Sequence, residues 1–224
     1  MRPGVVGVRF SARATVSAPT SGVRLGTGPE GPVLLRLFRV FGTRVVVTSP
    51  VSPVQLIVVR TAAAGTPVQV ITARAQLWAP LLRHDSATHL VTPTEARQLP
   101  GGPSLIVDDR PAEARGTAEV APWQCRIDVR SGWHPAELRA LARTDLAVFG
   151  VTGEDLTPQI AVAFGLPVAA AHGLSRLDTG SFGILRRGRV EYVTLDPTDA
   201  EAQVLDEAGG YRPMTSVTSR SGSA

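Results

Sequence analysis

The chain has 224 residues, of which 43% are apolar and 19% charged, a balance typical of a globular protein. All 23 basic residues are arginine, which excludes a Schiff-base lysine and the lysine of a phosphate-binding loop within this chain. The net charge is only +4 and the arginines are scattered. Because nucleic-acid-binding proteins usually concentrate basic residues on one face, this pattern disfavours that class.

Cysteine usage and hydropathy favour a cytoplasmic protein. The single cysteine, Cys125, cannot form an internal disulfide, which fits a reducing compartment. The chain opens without a signal peptide, and the longest uncharged apolar stretches, Val45–Val59 and Thr157–Leu174, are interrupted by proline or glycine. We therefore expect membrane association, at the inner face of the plasma membrane, only through a partner.

The two ends differ in composition from the middle. Residues 1–21 are rich in Arg, Ser, Ala and Thr, which predicts a flexible segment in which Val5–Phe10 could add an edge strand. Residues 209–224 are rich in Gly, Ser and Thr, which predicts a disordered tail. One domain over residues 22–208 is predicted between them.

Strand and helix patterns alternate through this domain. Val33–Arg39 and Arg44–Thr48 are predicted strands, and Pro53–Ala64 is a predicted helix, since Ser52 suits its N-cap and Gly65 its C-terminal end. The remaining predicted elements are strand Pro67–Thr72, helix Ala73–Leu82, strands His89–Thr92, Ser104–Val107 and Trp123–Val129, helix Pro135–Arg143, strand Leu146–Phe149, helix Thr157–Phe164, a hairpin of Phe182–Arg186 and Val190–Leu195, and helix Thr198–Ala208.

Such alternation predicts an α/β fold, with a mostly parallel sheet covered by helices on both faces.

The loop before the first helix resembles a phosphate-binding loop in position only. Aligned with G-x-x-x-x-G-K-[ST], Ser49 and Val54 replace the glycines, Gln55 the lysine and Leu56 the hydroxyl residue. Prolines within the loop also remove backbone donors that could face an anion. We predict that this loop binds no nucleotide.

Ser104–Asp109 is an apolar strand that ends in two acids, as in a Walker B strand, whose aspartate helps to hold Mg²⁺. Acids that simply cap a turn after a buried strand are the alternative. Without a phosphate-binding loop, the turn interpretation is favoured.

Several segments resemble known proteins. Gly22–Pro50 looks like the entry to FtsK-type motor ATPase domains, and the hairpin Phe182–Leu195 is similar to their closing hairpin. Val45–His84, Ser104–Asp109 and Pro122–Gln124 resemble actinobacterial type VII (ESX) secretion proteins of the EccE-like group. The resemblance spans roughly Gly22–Ala208, and the lysine-free, Ala/Val/Gly/Pro-rich composition fits a high-GC actinobacterial genome.

The resemblance implies a degenerate RecA/FtsK-like layout that has lost its phosphate-binding loop. It implies a non-catalytic, pseudo-ATPase-like component of type VII secretion, without cofactor, metal or small-molecule substrate, whose partner is a motor ATPase or a membrane-core subunit. EccE-like proteins carry N-terminal transmembrane helices and this chain shows none, so a stand-alone version is expected. Arg186, Arg187 and Arg189 on the closing hairpin are candidate interface residues, since arginine pairs well with carboxylates. A solvated turn is the alternative.

Two other function classes stay open from the sequence. Leu177–Ser181 contains the Asp-Thr-Gly-Ser signature of aspartic proteases, and a single copy would require a homodimer that uses Asp178. Asp-Thr-Gly is also ordinary turn chemistry before a strand. A nucleic-acid-binding accessory protein is the third hypothesis, and a basic stripe would favour it.

Overall fold

The computed structural model describes residues 22–48, 50–84, 87–92, 102–111, 114–115, 119–130, 141 and 144–209. The predicted flexible segment 1–21, the predicted tail apart from Gly209, and the predicted helix Pro135–Arg143 apart from Leu141 lie outside the described residues.

Strands and helices alternate along the described chain, as predicted. The strands are β1 (Val23–Gly28), β2 (Gly31–Leu35), β3 (Thr43–Thr48), β4 (Val68–Thr72), β5 (Thr88–Leu90), β6 (Ser104–Asp109), β7 (Gln124–Arg130), β8 (Leu146–Phe149), β9 (Ser181–Arg186) and β10 (Arg189–Leu195). The helices are α1 (Ser52–Ala63), α2 (Ala79–His84), α3 (Thr157–Phe164), α4 (Val168–His172) and α5 (Asp199–Glu207).

The described strands form one sheet in the order β2-β1-β10-β9-β8-β3-β7-β6-β4-β5. The six strands from β8 to β5 run parallel to one another. The other four form an antiparallel block that joins the parallel block through the β8–β9 pair. The predicted mostly parallel sheet with a C-terminal hairpin is therefore confirmed.

Helices cover both faces of the sheet, as the buried side chains show. On one face, Val45 and Ile127 belong to a core that includes α1, Trp78 and Leu205 of α5. On the opposite face, Val46 and Phe149 pack with residues of α3 and α4. The rings of Phe149 and Phe164 meet edge to face, with centroids 6.4 Å apart. The apolar runs of the central strands are explained by burial on both sides.

Two predicted elements differ most from the structure. The strand predicted over Val33–Arg39 ends at Leu35, because Leu35 pairs with Val23, the first residue of β1, and no further β1 residue is available as a partner. The helix predicted over Ala73–Leu82 is instead a 3₁₀ turn, Ala75–Leu77, followed by α2. Proline is tolerated in the first turn of a helix and not in its interior, so Pro80 begins a helix here.

Arg60 of α1 joins the antiparallel block to the core. Its guanidinium donates to both carboxylate oxygens of Glu201 at 2.8 Å, and to the carbonyls of Arg24 and Asp196 at 2.9 Å. Asp196 also pairs with Arg24 and accepts a hydrogen bond from Thr27 at 2.9 Å. Helices α1 and α5 and strands β1 and β10 are thus linked through one side chain.

Candidate functional site

Open α/β sheets bind ligands at the carboxyl ends of their parallel strands. In this chain that edge carries Thr48 at the end of β3, Thr72 at the end of β4 and Asp109 at the end of β6. We call it the carboxyl edge. It holds both sequence features that bear on nucleotide chemistry, the degenerate loop and the acidic strand.

The loop between β3 and α1 is too short to enclose a phosphate group. Only residues 49–51 separate Thr48 from Ser52, whereas a phosphate-binding loop places a longer glycine-rich segment there. The Thr48 hydroxyl donates to the Val148 carbonyl at 3.4 Å and accepts from the Gly150 amide at 3.3 Å. These contacts tie the end of β3 to β8.

The two residues aligned with the catalytic lysine and hydroxyl lie in the interior. Gln55 and Leu56 both have 0% exposure, because the short loop places them within the first turns of α1. The Gln55 side-chain amide donates to the Leu77 carbonyl at 2.8 Å, and Leu56 is part of the hydrophobic core. Neither side chain is available to a ligand in the loop.

Three side chains donate hydrogen bonds to the Asp109 carboxylate. The carboxylate accepts from the Thr72 hydroxyl at 2.9 Å and from the Trp78 indole nitrogen at 2.9 Å. Arg74 pairs with both of its oxygens, with the Arg74 Nε 3.2 Å from Oδ2. The side chain is 1% exposed, so its hydrogen-bonding capacity is used inside the protein.

Asp108, on the other face of β6, is paired in the same way. Its Oδ2 atom lies 2.6 Å from a guanidinium nitrogen of Arg126 on β7 and 2.7 Å from one of Arg110. Burial alone would raise the pKa of Asp108. The hydrogen bonds from Arg110 and the charge of Arg126 outweigh burial and hold this pKa below its ordinary value. Asp108 is therefore an ionised partner of two arginines.

The residues at this edge do not fit a magnesium–nucleotide complex. A metal-binding aspartate needs a carboxylate oxygen free for the ion, and a nucleotide needs unpaired donors for its phosphates. Both acids accept from arginines instead, and the positions aligned with the loop's lysine and hydroxyl are the buried Gln55 and Leu56. Within the described ranges, no group of three or more His, Cys, Asp and Glu could hold a metal ion.

The other candidate residues from the sequence lie in different surroundings in the structure. Asp178 is exposed, and its carbonyl accepts from the Ser181 amide at 3.0 Å in the turn that precedes β9. Arg187 is exposed at the tip of the β9–β10 hairpin, and Arg189 lies 3.9 Å from Glu30. Arg186 is half-buried and donates to the Leu34 carbonyl at 3.3 Å. The hairpin arginines therefore face different surroundings, and their role in an interface stays a prediction.

The opposite edge of the sheet, where the parallel strands begin, contains a groove that sequence reasoning missed. We call it the amino-edge groove. Its volume is about 420 Å³, and its charged lining is Arg36, Arg39, Arg186 and Asp145. These side chains come from the segment before β3, the residue before β8 and the end of β9. Arg36 and Arg39, which follow β2, were the sequence signal for this groove. The prediction of a strand over Val33–Arg39 obscured that signal.

No protein-family model and no curated protein match this sequence. Among solved structures, the chain is similar to VirB4 of Thermoanaerobacter pseudethanolicus, with a TM-score of 0.58 and 9% identity over 82% of this chain and 98% of that one. It is also similar to the genome packaging NTPase B204 of Sulfolobus turreted icosahedral virus 2, solved with AMPPCP, with a TM-score of 0.49 and 11% identity over 71% and 100% of the two chains. The likeness to VirB4 confirms the predicted RecA/FtsK-like layout.

Proposed function

We propose that this domain is a non-catalytic component of type VII (ESX) protein secretion that keeps the layout of a motor ATPase and acts by binding other proteins. Its partner is a secretion motor ATPase or a membrane-core subunit. It works at the cytoplasmic side of the membrane and reaches that membrane through the partner. Among the described residues, no helix is both long and apolar enough to cross a bilayer.

The state of the carboxyl edge is the observation that carries this proposal. Gln55 and Leu56 are buried where an ATPase needs a lysine and a hydroxyl. Asp108 and Asp109 are paired with arginines where an ATPase needs a metal ligand. In this proposal, internal ion pairs have replaced the nucleotide site of a motor fold. The surfaces of the fold remain, and a partner protein can bind them.

The secretion assignment is supported by the sequence segments that resemble the EccE-like group. The three segments, Val45–His84, Ser104–Asp109 and Pro122–Gln124, lie together in the parallel block, where the strand order is β3-β7-β6-β4. The likeness of fold to VirB4 fits a chain derived from a motor ATPase.

Titration calorimetry with ATP and Mg²⁺ tests the lack of nucleotide binding. We expect no heat that corresponds to a Kd below about 100 μM, which is roughly −5.5 kcal/mol. Tighter binding would contradict the non-catalytic assignment. Titration of Mg²⁺ alone is the control, because heat in both experiments would report a cation site and not a nucleotide site.

Co-purification tests the secretion assignment. The tagged domain, expressed with the type VII motor ATPase and the membrane-core subunits of its own organism, should retain at least one of them through gel filtration. The Arg186→Glu, Arg187→Glu, Arg189→Glu triple variant should lose the partner if the closing hairpin is the contact. If the wild-type domain retains none of the secretion components, the secretion assignment is wrong.

A further inference from the structure

The described lining of the amino-edge groove contains more arginines than carboxylates. Arg39 pairs with Asp145 at 2.8 Å, and Asp145 is the only acid among the described residues of the lining. Arg36 is exposed and has no hydrogen bond or ion pair within the described part of the chain, while Arg186 donates to a neutral carbonyl. Two guanidinium charges in the groove are therefore not balanced by a carboxylate.

Exposed apolar side chains lie close in the chain to Arg39, which lines this groove. Val40 is 57% exposed and Phe41 77%, and they lie one and two residues after Arg39. Trp123 is 46% exposed, and its backbone amide donates to the Arg39 carbonyl at 2.7 Å, which places its backbone beside this segment. Arginine, tryptophan and phenylalanine are enriched at protein interfaces, where aromatic anchors and guanidinium groups contribute most of the binding energy.

Trp123 also has a strained backbone. Its φ of 61° is the only positive value among the described non-glycine residues. Residues in this region are found where the surrounding structure or a function requires them. Here the surrounding contacts hold an aromatic side chain at the surface, an arrangement that burial alone does not explain.

We propose that the amino-edge groove, together with the exposed Phe41 and Trp123, is a docking site for an acidic peptide segment of a protein partner in which carboxylates alternate with apolar side chains. The carboxylates pair with Arg36 and Arg186, and the apolar side chains contact Phe41 and Trp123. This inference rests on the proposed function, since it gives the chemistry of the segment that a secretion partner presents.

Charge and shape favour a protein segment over a nucleic acid. The excess charge consists of two arginines in one groove of about 420 Å³, and nucleic-acid binding requires a basic stripe along the path of a phosphate backbone. Val40 adds an aliphatic surface that bases and phosphates do not need. A carboxylate suits the planar fork of a guanidinium.

Fluorescence anisotropy with labelled peptides tests the site on the whole chain. The probe is a short peptide that alternates glutamate and leucine, compared with a matched lysine–leucine peptide, a matched glutamate–serine peptide and an oligodeoxythymidine of similar charge. We expect the glutamate–leucine peptide to bind most tightly. Arg36→Glu should weaken it by about tenfold or more, which is one unit of log Kd, and Phe41→Ala should weaken it severalfold.

The matched controls are Arg176→Glu, an exposed arginine before β9 and outside the lining, and Val162→Ala, an exposed apolar residue on α3. Both should leave the affinity unchanged. Arg36 and Phe41 are exposed, so their variants should keep the wild-type melting temperature.

The proposal is overturned by no binding up to about 1 mM peptide, by equal binding of the lysine–leucine or glutamate–serine peptide, by tighter binding of the oligonucleotide, or by equal losses in the control variants. These outcomes leave the proposed function standing, because ATP titration and co-purification test it separately. Conversely, ATP binding or a missing secretion partner would overturn the proposed function even if the peptide binds the groove.

Discussion

The two edges of the parallel sheet use their charged side chains in different ways. At the carboxyl edge, Asp108 and Asp109 are buried and each accepts from arginine. At the amino edge, Arg36 and Arg186 line a groove without a carboxylate partner among the described residues, and the exposed Phe41 lies near Arg36 in the chain. Paired and buried charges stabilise this fold, whereas the unpaired charges lie where a partner can reach them.

Under the proposed function, this difference would explain how a RecA/FtsK-like layout persists without nucleotide chemistry. In an ATPase the bound nucleotide and metal supply the charges that the carboxyl-edge residues face. Here Arg126 and Arg74 supply positive charge at the positions of the acids, so the edge is complete without a ligand. Function is then expected at a surface whose charges are not satisfied internally.

Replacing Asp108 should have the largest effect. Asp108→Asn keeps the shape of the side chain but leaves the buried Arg126 and the half-buried Arg110 facing a neutral amide. Breaking a buried ion pair by removing one partner costs about 3–5 kcal/mol, so we expect a loss of about 3 kcal/mol in the free energy of unfolding. Urea denaturation followed by circular dichroism measures it.

Asp155→Asn is the matched control for this change. Asp155 is exposed after β8, and its replacement should change stability by less than about 0.5 kcal/mol. If Asp108→Asn left stability unchanged or raised it, the carboxylate would not be serving the arginines. It would then behave as a metal ligand does in a metal-free site, and the contrast between the two edges would disappear.

Arg60 gives a second paired charge, of intermediate effect. Arg60→Met removes the bonds to Glu201 and to two backbone carbonyls, and should cost about 2–3 kcal/mol at pH 7. Burial alone would raise the pKa of Glu201, but the hydrogen bond and charge of Arg60, together with the hydrogen bonds from Thr198, outweigh burial and hold the pKa below its ordinary value of 4.5. The stability from this pair is therefore fully present above pH 4.5 and is lost as the pH falls through the lower, folded-state pKa.

Denaturation of Arg60→Met and wild type across this pH range tests the sign. The difference in unfolding free energy should be constant at neutral pH and should shrink below pH 4.5. Arg83→Met is the control, since Arg83 also pairs with α5, through Glu207 at 3.2 Å, but is mostly exposed. Its cost should stay below about 1 kcal/mol. A difference for Arg60→Met that grows in acid would mean that Glu201 is not held ionised by Arg60.

The sequence predicted the fold better than the site. Alternating strands and helices, and the wrong residues at Gln55 and Leu56, were visible as local patterns. The partner of Asp108 was not, because Arg126 reaches it only through the parallel register that sets Ile106 opposite Arg126. The amino-edge groove was not predictable either, since Arg36 and Arg186 are far apart in the sequence and line one groove only in the folded chain.

The smallest predicted effect concerns the strain at Trp123. Its amide donates to the Arg39 carbonyl and its carbonyl accepts from the Ser104 amide, so backbone hydrogen bonds on both sides hold its φ at 61°. Trp123→Gly and Trp123→Ala both remove the indole, but alanine retains the left-handed strain. We therefore expect the glycine variant to be the more stable of the two by about 1 kcal/mol. Thermal and urea denaturation of both variants measure the difference.

Position 162 provides the opposite case for comparison. Val162 is 83% exposed on α3, and helical backbone favours alanine over glycine by about 1 kcal/mol, so Val162→Ala should be more stable than Val162→Gly. A reversed order at position 123 alone would show that the amino edge holds its exposed tryptophan against a conformational cost. If alanine is the better residue at both positions, the backbone at 123 relaxes once the indole is gone. The exposed aromatic would then set its own conformation, and the amino edge would not be built to present it.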